Sequence, residues 1–145
     1  MAGGAACELC VAEGGALVAR GAKWRVVRVA DADFPAFYRV VWNAHVAELS
    51  DLAPADRVLC MEAVVAVERV LREQLRPAKI NLVSLGNVVP HLHWHVVARF
   101  GWDSRFPQPI WAPLLRHPQP PPTQRLAVGL DALDAAVCGA LATLA

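Results

Sequence analysis

The sequence predicts a mixed domain of strands and helices on three features: four short β-rich runs between residues 24 and 99, a long helical pattern at 55–75 in their midst, and a helical apolar stripe near the C-terminus. The 145 residues suit one compact core, and 56% apolar against 19% charged residues gives ample material to fill it. Trp24 to Val29 is the first run, and it stops at the polar stretch Asp31-Ala32-Asp33. Tyr38 to Trp42 is the second; Pro35 before it suits a loop between antiparallel neighbours. Pro54 is placed for the first turn of a helix. From Ala55 to Leu75 the pattern keeps Val58, Met61, Val65 and Leu71 near one face, with Arg57, Glu68 and Arg72 elsewhere, and Pro77 ends it. Lys79 to Leu85 and His91 to Arg99 read as two further strands, joined by a turn at Gly86-Asn87.

Seven of the sixteen residues from Pro107 to Pro122 are proline, so this stretch is expected to run extended over the surface. Beyond it Leu126, Leu130, Leu133, Val137, Leu141 and Leu144 recur at steps of three and four, one apolar helix stripe that needs a docking surface on its own domain or on a second copy. The expected organisation is therefore a principal domain over 1–111, a proline-rich strap over 112–125 and an amphipathic helix over 126–145.

Charge excludes some partners. Fourteen basic and thirteen acidic residues leave a net +1 with no basic stripe, which argues against a nucleic-acid polymer as ligand. Glu8 and Glu13 break the pattern of a signal peptide, and Asp131 and Asp134 interrupt the last nineteen residues, the stretch closest to an apolar span. A cytoplasmic protein without membrane contact is expected. In that compartment Cys7 and Cys10, a C-x-x-C pair, suit metal or redox chemistry better than a disulfide, although two chance cysteines are also possible. Cys60 and Cys138 fall inside helical patterns and read as small buried residues.

The informative constellation is His91, His93 and His95. On a strand of period two the three imidazoles project from one face, successive rings ~6.6 Å apart, so the row is about 13 Å long and could line a small anionic group. Filling a strand face with imidazoles costs desolvation and mutual repulsion that apolar residues would avoid, so the row points to chemistry. Two readings compete. Alternate histidines can hold a catalytic metal, or one imidazole can attack phosphorus while its neighbours hold phosphate oxygens and assist proton transfer. The flanking segments 87–90 and 97–99 offer no carboxylate to complete a metal set.

The run His91-Leu92-His93-Trp94-His95-Val96-Val97 resembles the His-φ-His-φ-His-φ-φ signature of the histidine triad (HIT) superfamily, φ being apolar. The lead-in Ile80 to Asn87, the segment Trp42 to Val46, Cys7-Glu8-Leu9-Cys10 and Phe106 to Trp111 sit where bacterial members place like elements, and together resemble the branch described as diadenosine polyphosphate hydrolase-like. The resemblance implies an α+β fold with a central five-stranded antiparallel sheet, a homodimer, and hydrolysis or transfer at the α-phosphate of a small nucleotide. It implies His93 as nucleophile, His95 as a phosphate contact that assists proton transfer, and His91 as a residue that sets the geometry. Gly86 and Asn87 would contact phosphate, Asn81 is a further substrate contact, and Asp33 or Asp31 would reach the ribose. In several bacterial relatives the counterparts of Cys7, Cys10, His45 and His91 bind structural zinc, and no cofactor enters the chemistry itself.

One departure stands out. Many members carry Gly-His before the second strand, a fourth active-site histidine, where this chain reads Pro35-Ala36-Phe37. The nucleophile would then be oriented by backbone carbonyls alone, or the protein would be a nucleotide-binding regulatory module with little catalysis. Trp102, Phe106 and Trp111 are placed to stack on a base but are expected to pack between strap and sheet, and His117 in the strap is expected to be solvated.

Overall fold

The computed structural model describes residues 7–145, so the first six residues of the expected 1–111 domain lie outside the described residues. The chain runs α1 (Glu8–Val11), β1 (Ala16–Arg20), β2 (Trp24–Arg28), β3 (Phe37–Trp42), α2 (Pro54–Leu75), β4 (Lys79–Val83), β5 (His93–Arg99), α3 (Pro122–Arg125) and α4 (Leu130–Leu141). The strands form one sheet in the order β1-β2-β3-β5-β4, antiparallel throughout, so the α+β fold with a five-stranded sheet is borne out. The fifth strand, β1, lacks a clean apolar alternation and carries a register shift between Leu17 and Ala19. Its return into β2 is tight: a Cβ on Gly21 would lie 2.5 Å from the Trp24 indole. β5 starts at His93 rather than His91, because the His91 N–H bonds to the Val89 carbonyl and leaves the ladder.

One face of the sheet carries the core. Trp24, Val26, Tyr38, Val40, Trp42, Val96 and Ala98 meet α2 and α4 there in one buried cluster. Helix α2 has Pro54 in its first turn and ends on Arg76 in the left-handed region, whose N–H bonds to the Arg72 carbonyl before Pro77. Its buried face is Cys60, Ala63, Val64, Val67, Val70, Leu71 and Leu75. This corrects the expected stripe: Val58 is 62% exposed and Met61 and Val65 are only partly buried. Apolar residues surround much of this helix, and the face that packs into the core includes the small Cys60 and Ala63.

The expected C-terminal helix shortens to Leu130–Leu141, with a 3-10 turn after it, and packs within the domain. Leu133, Val137 and Leu141 are fully buried against the same core. Asp134 fixes its docking by accepting from the Tyr38 hydroxyl at 2.6 Å and from Arg28 Nε at 2.9 Å. Cys138 is exposed, contrary to the expected burial, because it lies off the stripe; Cys60 is buried. Among the described residues no helix is long and apolar enough to cross a membrane.

The opposite face is covered by loops. Arg99, 2% exposed, projects from this side of β5 onto Asp103, also 2% exposed, at 2.8 Å, and donates to the Gln108 carbonyl and to Asn81 Oδ1. Burial opposes ionisation of Asp103, yet Arg99 and the N–H groups of Phe100 and Arg105 hold its carboxyl below the usual range. This clamp ties the proline-rich stretch to the sheet. Asp103→Ala would strand a buried guanidinium, so a loss of about 3–5 kcal/mol in a urea melt is expected. A loss under about 1 kcal/mol would show that the strap is held by other contacts.

Candidate active site

Strand alternation sends His93 and His95 out from the face opposite α2, next to Val41 and Arg39 of β3 in register. The two rings meet edge to face, centroids 5.1 Å apart. His93 Nδ1 lies 2.6 Å from the His91 carbonyl. A carbonyl only accepts, so Nδ1 carries the proton and Nε2 keeps a free lone pair. His95 is bracketed by the Phe37 ring at 5.2 Å and the Trp111 ring at 5.6 Å, and its Nδ1 is buried without a partner.

Both imidazoles line a cavity of about 420 Å³. Its floor is β3 and β5, through Phe37, Arg39, His93 and His95; one wall is the turn Leu85 to Val89; the other sides are Val29, Asp31, Trp111 and the α1 residues Glu8 and Leu9. Gly86 makes the turn possible with φ +73°, a conformation costly for any residue with a Cβ. The α1 segment is nailed down by buried Arg25, which donates to the carbonyls of Leu9 at 2.7 Å, Ala12 at 3.0 Å and Glu13 at 3.1 Å.

Beside the cavity a second cluster forms. The donor atoms of Cys7, Cys10, His45 and His91 all lie within 4.8 Å of one another. His91 Nδ1 is 3.4 Å from the Cys7 sulfur, 3.5 Å from the Cys10 sulfur and 3.2 Å from His45 Nδ1, and His45 Nδ1 is 3.3 Å from the Cys10 sulfur. A tetrahedral ion with bonds of about 2.0–2.3 Å separates its ligands by about 3.3–3.8 Å, so this set fits a metal. The outer contact fits as well: His91 Nε2 donates to the Trp42 carbonyl at 2.6 Å, leaving Nδ1 as the coordinating nitrogen.

Comparison with known proteins decides the kinship. The HIT domain model matches residues 15–101. The chain belongs to the HIT domain family. Solved structures with this fold include a histidine triad protein from Bradyrhizobium japonicum, 26% identical over 86% of this chain and 89% of that one, with a TM-score of 0.69. HIT proteins from Sinorhizobium meliloti (23% identity, 89% and 91% covered, TM-score 0.69) and Marinobacter aquaeolei (21%, 94% and 92%, 0.66) share the fold. No curated protein matches the sequence.

Within this HIT domain the expected site residues divide. His93, His95, Gly86, Asn87 and Asp31 line the cavity, whereas His91 turns its ring into the Cys-His cluster, so the expected row of three is a row of two. Two expected contacts need correction. Asp33 is held by Arg105 Nη1 at 2.9 Å and Asn81 Oδ1 accepts from Arg99 Nη1 at 2.8 Å; neither lines the cavity, because the strap's clamp recruits both. Trp111, expected to pack, is 55% exposed and forms part of the cavity wall. Arg39, Glu8 and Leu9 were not foreseen. A charge inside the otherwise apolar strand Phe37–Trp42 was the signal for Arg39; Glu8 and Leu9 gave none. The proposal of a metal along the histidine row finds no third donor, since among the described residues three or more ligand groups converge at the Cys-His cluster alone.

Burial disfavours the charged form of both cavity imidazoles. It pulls His93 below the usual histidine range, opposed by the bond to His91 and assisted by the Arg39 charge. His95 is pushed down to about 4 by burial, then by His93 and Arg39. Because an unfolded imidazole titrates near 6.5, the unfolded chain takes up this proton first as pH falls. The stability present above pH 6.5 is therefore lost down to about pH 4, by up to about 3 kcal/mol. The readout is the difference between wild type and His95→Leu in denaturant melts at pH 7 and pH 4.5, in which contributions common to both proteins cancel. A difference that does not change with pH would refute the assignment.

Proposed function

We propose that the protein hydrolyses or transfers nucleotides at the α-phosphate, through a covalent nucleotidyl intermediate on His93, and that it belongs to the diadenosine polyphosphate hydrolase-like branch. The observation that carries this reading is the His93 Nδ1–H bond to the His91 carbonyl, which leaves Nε2 as a lone-pair nucleophile at the edge of a cavity. In the first step Nε2 attacks the α-phosphorus, a P–N bond forms, and the bond from phosphorus to the leaving group breaks with its electron pair going to that group. In the second, water or another acceptor attacks phosphorus and gives up its proton to solvent, the P–N bond breaks and its electrons return to His93. Asn87 and the Gly86 turn are placed to hold phosphate oxygens, and Asp31 supports ribose recognition through its second oxygen, Oδ1 being taken by the N–H groups of Asp33 and Phe34.

His95, neutral near pH 7, makes a weak general acid, so its part is to contact phosphate and to pass on a proton only after substrate charge has raised its basicity. This favours leaving groups that depart as anions, the phosphate end of a dinucleoside polyphosphate, over the amine of a nucleoside phosphoramidate. The same observation, with Phe37 in place of a fourth histidine, also favours a second reading, a nucleotide-binding regulatory module that turns substrate over slowly. Zinc is the metal proposed for Cys7, Cys10, His45 and His91; two thiolates and two imidazoles suit it, and its chemistry there is structural. A homodimer accompanies the reading, supported by the sheet-edge strand β4 and its exposed Leu82. Intact-mass spectrometry after brief mixing with diadenosine polyphosphates and adenosine phosphoramidate tests it. One adenylyl group added per chain is expected, with free AMP accumulating on longer incubation; tight binding with neither product would leave the regulatory reading in its place.

A further inference from the structure

The cavity floor contains one basic side chain whose charge no ion pair offsets among the described residues. Arg39 lies on β3, two residues after Phe37 on the same face and directly across the ladder from His95. Its Nη1 donates to the Gly14 carbonyl at 2.9 Å, which fixes the side chain against the sheet. Its Nε is buried with no hydrogen-bond partner, and among the described residues no carboxylate lies within ion-pair distance of it. A half-buried guanidinium left like this is expensive, whereas each other buried arginine here is matched: Arg25 by Glu13 and main-chain carbonyls, Arg99 by Asp103.

The charge inventory of the cavity sharpens the point. Its other acidic or basic side chains besides the two imidazoles are the carboxylates of Glu8 and Asp31. Arg39 is therefore the sole fixed cation among the described residues lining the cavity. Resting on the nucleotide reading above, we propose that Arg39 is the phosphate-recognising residue of the site, its guanidinium binding the phosphate oxygens of the ligand beside His93 and His95. A planar fork of N–H donors matches phosphate geometry, and the guanidinium stays charged at every pH at which the protein works. The positive charge that a fourth, protonatable histidine would lend to such a site comes here from a permanently charged residue on the same face of the same strand.

Calorimetry on the full chain tests this with AMP, adenosine and inorganic phosphate as ligands. Arg39→Met and Arg39→Gln, both checked for an unchanged melting profile, are expected to bind AMP at least about tenfold more weakly, a loss of about 1.4 kcal/mol, with adenosine affinity unchanged. Arg39→Lys, which keeps the charge without the fork, is expected to fall between wild type and Arg39→Met. If the methionine and glutamine variants do not fold, the lysine variant and the salt dependence of wild-type AMP binding decide, since a phosphate held by a fixed cation weakens as salt rises and adenosine does not. AMP affinity equal in wild type and a folded charge-removed variant, a lysine variant no better than methionine, or salt-independent AMP binding would overturn the assignment. Failure of the wild type to bind AMP at all would instead strike the nucleotide reading itself.

Discussion

His93→Ala is expected to abolish turnover, lowering kcat by at least about 10⁴-fold, or about 5.5 kcal/mol of barrier, while the protein stays folded. The nucleophile is the only protein group in the proposed reaction that forms a bond to phosphorus, so no other side chain of the cavity replaces it. His95 is adjacent but is buried, flanked by Phe37 and Trp111, and has its Nδ1 unpartnered, so no carbonyl sets its tautomer. The structural cost is small: alanine removes one hydrogen bond to the His91 carbonyl and a ring on the cavity side, worth about 1–2 kcal/mol, without touching the core packed on α2. Steady-state rates, intact mass and a urea melt on the same preparation separate these effects. Full activity in a folded His93→Ala protein would end the covalent mechanism. A loss of activity with the adenylyl adduct still present would move the nucleophile elsewhere.

Stripping the metal from the Cys-His cluster should lower the melting temperature by at least roughly 10 °C, about 3 kcal/mol for a chain of this size. Without an ion, two sulfurs and two ring nitrogens meet at 3.2–3.5 Å, and only weak thiol–imidazole contacts hold Cys7, Cys10, His45 and His91 together. The consequence reaches the cavity by two routes. Cys7 and Cys10 flank Glu8 and Leu9, which wall the cavity, and His91 carries the carbonyl that orients His93. Arg25 still holds the carbonyls of Leu9, Ala12 and Glu13, so the segment is expected to loosen rather than detach. Metal analysis of single variants gives the second check. One zinc per chain should be lost in Cys7→Ser, Cys10→Ser and His45→Ala and retained in His93→Ala and His95→Ala. Metal content that followed His93 and His95, or a melting curve indifferent to chelation, would refute the structural role.

Local pattern carried much of the way to this site. Period-two spacing is a property of any strand, so His93 and His95 had to share a face with each other and oppose Trp94 and Val96, whatever the rest of the chain did. The C-x-x-C pair likewise had to present two sulfurs within reach of one ion. β1 was less legible, since its alternation is poor and only its pairing with β2 makes it a strand. The buried face of α2 was misplaced for a related reason: with apolar residues around much of the helix, the sheet and α4 chose which of them to cover.

The sequence by itself determined that alternate imidazoles would share a strand face and that two thiols would sit side by side; tertiary structure decided which imidazoles join the thiols, which nitrogen of each ring is free and what each polar group is spent on. His91 left the row because its ring meets Cys7, from a segment 84 residues away, while its carbonyl remained to orient His93. Asp33 and Asn81 left the cavity because Arg105 and Arg99 claimed them, and Arg39 remained available because, among the described residues, no carboxylate lies within ion-pair distance of it. Periodicity depends on dihedral angles and can be read along the chain. Hydrogen-bond partners depend on which distant segments the fold brings within about 3 Å, where a polar group's desolvation must be compensated.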